Sequence, residues 1–227
     1  MASLVYPSLV EKLHSAGVQL LAVSKTKSEA EILALYQRGQ RDFGENYVQE
    51  MVAKQVVLPQ DIRWHFIGHL QSNKVKYIAP FVHMIQSVDS FKLLAEIDKQ
   101  AAKNLRIIHC LFQIHVAREE TKFGLDKKEL EILLETVVTC RSSGSLGHVR
   151  ISGCMGMASL TSDQQIIREE FTTLRSLFDQ IQSRLPADPV DTLSMGMSSD
   201  YQIALECGST MVRLGSLIFG ERKEVSK

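Results

Sequence analysis

Lys25 ends an apolar run in LLAVSKTK (residues 20–27), and its position there raises the first chemical question. A lysine amine attacks a carbonyl only when neutral, and desolvation beside an apolar segment lowers its pKa toward that state. Two later stretches suit an anion. SMGMSSD (194–200) sets hydroxyls and Gly196 just ahead of a helical pattern, whose free N–H groups and positive dipole end favour negative charge. RLGS (213–216) adds Arg213, a backbone at Gly215 that a ligand can approach closely, and the hydroxyl of Ser216. Taken singly, each has a plain structural reading: Lys25 as a surface lysine, SMGMSSD as a serine-capped turn, Arg213 as the partner of a carboxylate. His65 and His69 are four apart, but they flank a strand-like Phe66-Ile67-Gly68 with no glutamate in the HExxH position, so no metal site is expected.

The elements that must carry these groups follow from periodicity. Short apolar, β-branched runs alternate with longer stretches of helical spacing. Strands are predicted at 18–25, 41–46, 63–70, 83–90, 107–116, 149–156, 191–197 and 211–220. A helix follows the first, capped by Thr26 or Ser28, with Glu29 or Glu31 completing a capping box and Gly39 ending it. Further helices are predicted after residue 46, from a cap at Ser72, through Lys103, over 127–140, over 163–183 and after Ser199. SSGSLGH (142–148) is a loop, and a short helix precedes the first strand. Repeated strand–helix–strand units require parallel pairing with right-handed crossovers. Eight of them in about 200 residues suggest an α/β fold of the (β/α)₈ TIM barrel type, although a doubly wound open sheet uses the same alternation.

In either fold, functional groups gather at the C-terminal ends of the strands. That edge collects Lys25, then Glu45 and Asn46, then Gly68, His69 and Gln71, then Asp89 and Ser90. It continues with Met155 to Met157, with Ser194 to Ser198, and with Arg213 to Ser216. Barrels often bind phosphate with the loops after strands seven and eight, and SMGMSSD and RLGS are those loops. A phosphate on one side and a lysine on the other fit a ligand carrying both phosphate and aldehyde. Pyridoxal 5′-phosphate (PLP) is such a ligand.

Composition bounds the rest. The 227 residues are 44% hydrophobic, enough for one sizeable core, so a single domain over 1–227 is expected. Lys plus Arg and Asp plus Glu number 26 each, so no electrostatic pull toward nucleic acid or an anionic membrane is expected, and the ligand should be small. Cysteines at 110, 140, 154 and 207 form no CxxC pair, which fits a reduced, cytoplasmic compartment. Glu11, Lys12 and His14 interrupt the first apolar stretch, which has neither a secretory core nor a spanning length.

LLAVSKTK, FGENYVQE (43–50), WHFIGHLQSNK (64–74), TKFGL (121–125), LSMGMSSD (193–200) and GSTMVRLGSLIFGER (208–222) together resemble the pyridoxal phosphate homeostasis protein family, single-domain relatives of the barrel half of alanine racemase. The matches run in order from about residue 18 to residue 222. The resemblance implies a PLP fold type III barrel with PLP held as a Schiff base on Lys25. It implies cofactor contacts from Asn46, Ser194, Ser198, Arg213, Gly215 and Ser216, and His69, Met157 and Met197 on the same rim complete the predicted set. Lys122 falls where the family carries a lysine suspected of taking part in cofactor transfer. Two departures stand out: the family often has proline where this chain has His69, and the region before the first strand is shorter than in many relatives.

What the resemblance implies about function is a monomeric PLP carrier that buffers the cofactor inside the cell and delivers it to PLP-dependent apoenzymes, without robust catalysis. Racemases of this lineage add a β domain and take a catalytic tyrosine from the partner subunit; the sequence stops seven residues past Gly220, so that domain is not expected. The alternatives are a PLP-dependent racemase or lyase, in which the cofactor supplies most of the chemistry, and a Schiff-base aldolase acting on a sugar phosphate. The lack of a second acid or base opposite Lys25 favours the carrier, with His69 and His115 the histidines available for that role.

Overall fold

The computed structural model describes residues 6–119 and 123–220. Its strands are β1 (Gln19–Val23), β2 (Asp42–Glu45), β3 (Arg63–Phe66), β4 (Met84–Val88), β5 (Ile108–Ile114), β6 (Val149–Gly156), β7 (Thr192–Ser194) and β8 (Met211–Leu214). They pair in parallel and in sequence order, and a ladder from Gln19↔Met211 to Ala22↔Leu214 joins β8 to β1 and closes the barrel. That ladder eliminates the open sheet, whose first and last strands cannot meet.

Helices cover the outside: α1 (Tyr6–Ser15), α2 (Glu29–Tyr36), α3 (Val48–Val57), α4 (Val75–Ile78), α5 (Phe91–Lys103), α6 (Lys127–Ser142), α7 (Gln164–Arg184), α8 (Tyr201–Glu206) and α9 (Ser216–Phe219). Ser28, not Thr26, caps α2, and Glu31 completes its box. Asp126 and Glu129 form the same reciprocal pair on α6; each box satisfies two backbone donors that a helix start would otherwise leave unpaired. Ser72 makes no side-chain cap; it begins a 3₁₀ turn that leads into α4. The long predicted strand at 211–220 divides, with β8 stopping at Leu214 and SLIF turning helical so that Ile218 is buried in the core. Among the described residues no helix is long and apolar enough to cross a membrane.

Two hydrophobic regions result. The larger lies between barrel and helices, with Phe43, Trp64, Phe66, Phe112 and Phe171 among its fully buried side chains. Inside the barrel sits a small cluster of Leu21, Met84, Leu111, Met155 and Met211, where flexible methionines fill an irregular space. Beside it a chain of buried polar groups crosses the interior from Asp42, at the start of β2, to Arg213 in β8.

Candidate functional site

A cavity of about 360 Å³ opens at the C-terminal ends of the strands. Of the residues predicted from the sequence, Lys25, Asn46, Met157, Met197, Ser198, Arg213, Gly215 and Ser216 line it. Val23, Ile67 and Met155 form an apolar wall; sequence reasoning put Met155 on this rim but assigned neither Val23 nor Ile67 to the site. A neighbouring cavity of about 500 Å³ shares Met157, Met197 and Ser199.

Lys25 stands two residues beyond β1, in a turn closed by the Lys27 N–H donating to the Ser24 carbonyl at 3.0 Å. Asn46 follows β2 directly, and its backbone is held by Gly68: a Cβ at that glycine would lie 2.1 Å from the Asn46 carbonyl oxygen. The Asn46 Oδ1 is buried and has no partner among the described residues, so the amide is available to a ligand in the cavity.

The loops after β7 and β8 form the other wall. Gly196 has φ +97°, and a Cβ there would come within 2.6 Å of the Ala204 Cβ, so glycine lets this turn pack tightly onto α8. The Ser198 hydroxyl accepts from the Leu217 N–H at 3.5 Å and ties the two loops together. Among the described residues, the backbone N–H groups of Ser198, Ser199, Gly215 and Ser216 make no hydrogen bond, and all four residues line the cavity. Unpaired donors of this kind suit an anion.

Arg213 is only 5% exposed. Burial lowers its pKa to about 10, which leaves it charged at neutral pH. It donates to the Ser194 carbonyl at 2.7 Å, to the Ser194 hydroxyl at 2.8 Å and to the Gly156 carbonyl at 2.9 Å. A guanidinium has five N–H groups, so donors remain for the cavity that it lines. Ser194 is fully buried beneath Arg213 and does not line the cavity; its hydroxyl donates to Gln86 at 2.7 Å. Its place in the sequence marks the right strand end, but its side chain faces the barrel interior. Gln86 in turn meets the His65 Nδ1 at 3.1 Å, and the His65 Nε2 meets Asp42 at 3.0 Å. Burial alone would raise Asp42, yet hydrogen bonds from His65 and Arg63 hold its carboxyl well below the usual range.

His69 is likewise absent from the cavity lining: it stacks on Phe123 with centroids 4.7 Å apart and faces Asp89 at 3.6 Å. His115 meets the Glu119 carbonyl at 2.9 Å. Lys122 lies outside the described residues. Among the described residues no group of three or more His, Cys, Asp or Glu is placed to hold a metal ion. Glu45, Glu50 and Lys54 pack behind Lys25; the first two lie in FGENYVQE, but sequence reading gave neither carboxylate a role beyond the position of Glu45 at a strand end, and Lys54 lies in no motif.

Comparison with known proteins adds relatives to this geometry. The family model for the alanine racemase N-terminal domain matches residues 8–223. The pyridoxal phosphate homeostasis protein of Pasteurella multocida (strain Pm70) is 40% identical over 214 residues, 93% of this chain and 89% of its own length. The Homo sapiens protein of the same name is 39% identical over 219 residues, 90% of this chain and 76% of its own. Among solved structures, PipY of Synechococcus elongatus PCC7942 with PLP bound is similar at a TM-score of 0.82 and 35% identity, covering 94% of this chain and 99% of that one. Alanine racemase from Bartonella henselae shares the fold at a TM-score of 0.69 and 17% identity, over 97% of this chain and 59% of that one.

Proposed function

The chain belongs to the alanine racemase N-terminal domain family, and on that premise we propose that it is a single-domain PLP-binding protein of intracellular PLP homeostasis, which holds the cofactor as a Schiff base on Lys25, buffers it and hands it to apoenzymes. The observation that carries this reading is the joining, in one cavity, of a lysine with an apolar wall and a set of unpaired backbone donors beside an arginine. Lys25 would hold PLP through the aldehyde that the cofactor supplies, the aldehyde oxygen being lost as water.

The residues fit that group. Ser198, Ser199, Gly215 and Ser216 offer backbone N–H groups and hydroxyls to the phosphate. Arg213, held from beneath by Ser194, would face the ring of the cofactor with its remaining N–H donors. The unpaired Asn46 Oδ1 would accept from the ring hydroxyl of the cofactor. Val23, Ile67 and Met155 give the cavity that Lys25 lines an apolar wall for the pyridine ring. The carrier reading is supported over a racemase by the lining itself: among the described residues its titratable groups are Lys25 and Arg213, and neither offers the second acid–base group that proton transfer at both faces of a carbon needs.

Borohydride reduction of the PLP-loaded protein followed by peptide mapping tests the proposal. A pyridoxyl group on Lys25, and no interconversion of alanine enantiomers over prolonged incubation, is the expected result. Attachment elsewhere in the unsubstituted chain would refute the site, and turnover of alanine would refute the carrier.

A further inference from the structure

Lys25 occupies the second position of the four-residue turn 24–27, and Thr26, the third, has φ +64°. A turn with positive φ at its third position ordinarily places glycine or asparagine there, so a β-branched threonine persists only if its surroundings hold it. Those surroundings are unusual. The Thr26 N–H donates to the Glu50 Oε1 at 2.6 Å. The Ser24 carbonyl, on the other side of Lys25, accepts from the Lys54 Nζ at 2.8 Å. Lys54 spends its remaining donors on the Glu45 Oε1 at 2.8 Å and the Glu50 Oε1 at 2.7 Å, and the Ser24 hydroxyl donates to the Glu45 Oε1 at 2.6 Å.

Lys54 is 4% exposed and Glu45 is fully buried. Burial pushes the Glu45 carboxyl up against the pull of Lys54 and Ser24, and its Oε2 has no partner among the described residues. Burying the Glu45 carboxylate and the Lys54 ammonium, with Glu50 part-buried beside them, costs desolvation, and hydrophobic residues would pack the same space without it. Lys54 and Glu50 hold the two peptide groups that flank Lys25, and Glu45 holds Lys54 and the Ser24 side chain behind them.

We propose that Glu45, Glu50 and Lys54 are positioning residues that clamp the peptides on either side of Lys25 and so fix where its amine meets a bound aldehyde. The inference rests on the reading that Lys25 carries PLP. The lysine side chain springs from the turn, so a rotation of either flanking peptide swings its far end out of line while the anion cradle on β7 and β8 stays in place. Misplacing a reacting group by about 1 Å can cost a rate roughly a hundredfold.

The test uses Glu50→Ala, whose carboxylate is partly exposed, alongside Lys54→Met, which leaves Glu45 without its partner and is the riskier variant to fold. Three quantities are compared with the parent chain: the rate of appearance of the visible absorbance on mixing with PLP, the affinity for pyridoxine 5′-phosphate, which lacks the aldehyde, and amide hydrogen exchange at Thr26 without ligand. The clamp predicts condensation slower by about 10- to 100-fold, pyridoxine phosphate affinity within about twofold, and Thr26 exchange faster by at least about tenfold. Unchanged exchange in Glu50→Ala overturns the clamp whatever the ligand does. So does an unchanged condensation rate, or a parallel loss of pyridoxine phosphate binding, which marks general damage to the cavity. Failure of the parent chain to condense at Lys25 defeats the PLP reading instead, and the exchange measurement still decides the clamp.

Discussion

Replacing Gln86 with leucine probes the polar chain inside the barrel. Gln86 is 0% exposed, and its amide donates to the His65 Nδ1 at 3.1 Å and contacts the Met211 sulfur at 3.2 Å, while its oxygen accepts from the Ser194 hydroxyl at 2.7 Å. Leucine fills nearly the same volume, so little cavity forms. Two buried groups lose their partners: the His65 Nδ1 and the Ser194 O–H. Each orphan costs about 1–3 kcal/mol, for a total of roughly 2–6 kcal/mol. The buried apolar surface that leucine gains offsets part of this, and we expect roughly 3 kcal/mol of lost stability. In a chain of this size that is a fall in Tm of about 6–12 °C. Urea unfolding of Gln86→Leu, Ser194→Ala and the double variant isolates the shared hydrogen bond. In the Ser194→Ala background the serine orphan cannot arise, so the leucine should cost less by about 1–2 kcal/mol. Stability of Gln86→Leu within about 0.5 kcal/mol of the parent, or strict additivity of the two changes, would show that the chain carries no such energy.

Gly196→Ala should destabilise by roughly 2–5 kcal/mol, because positive φ and overpacking add: the residue sits at φ +97° and its new methyl would lie 2.6 Å from the Ala204 Cβ. Calorimetric titration should also show weaker pyridoxine phosphate binding, and a variant as stable and as tight-binding as the parent would contradict the geometry of the β7 turn. A pH dependence follows from His83, whose ring lies 5.3 Å from His65 and 5.5 Å from His109. Burial first, then the like charges of its neighbours, lowers it from 6.5 to about 4. The folded state thus prefers the neutral ring while the unfolded chain takes up the proton at higher pH, so this contribution is complete above about 6.5 and is lost as pH falls toward 4. His109 is lowered in the same direction by burial, and Asp42 acts only below its ordinary 3.8. Glu45, raised from 4.5 by burial, pulls the other way above that pH. The His83 share is therefore read by difference: between pH 4 and 7 the urea midpoint of the parent should rise more steeply with pH, or fall less, than that of His83→Gln, and identical slopes would remove His83 from the account.

Much of this molecule was legible along the chain. The switch between strand and helix spacing located all eight strands, because that pattern depends only on which neighbours a side chain must face. The cap at Ser28, one of the two offered for the first helix, is equally local. LLAVSKTK, SMGMSSD and RLGS marked the cavity because a lysine, a tight glycine turn and small hydroxyls at strand ends are readable without knowing what lies opposite.

Closure of the barrel was not local: it depends on β1 meeting β8 across nearly the whole chain, and an open sheet satisfies the same periodicity up to that last ladder. The end of the last strand, expected at 220, falls at Leu214, since LGSLIFG is apolar enough for either period until Ile218 finds the core. Ser194 and His69 occupy the predicted strand ends, yet the facing of their backbones sends one beneath Arg213 and the other onto Phe123. Lys54 reads as one more charge on an amphipathic helix, and only packing α3 against β2 buries it beside Glu45. Residue type and spacing thus determined which groups could do chemistry, while the pairing of distant strands decided which of them share a cavity, because orientation across a barrel is a property of closure and not of neighbours in the chain.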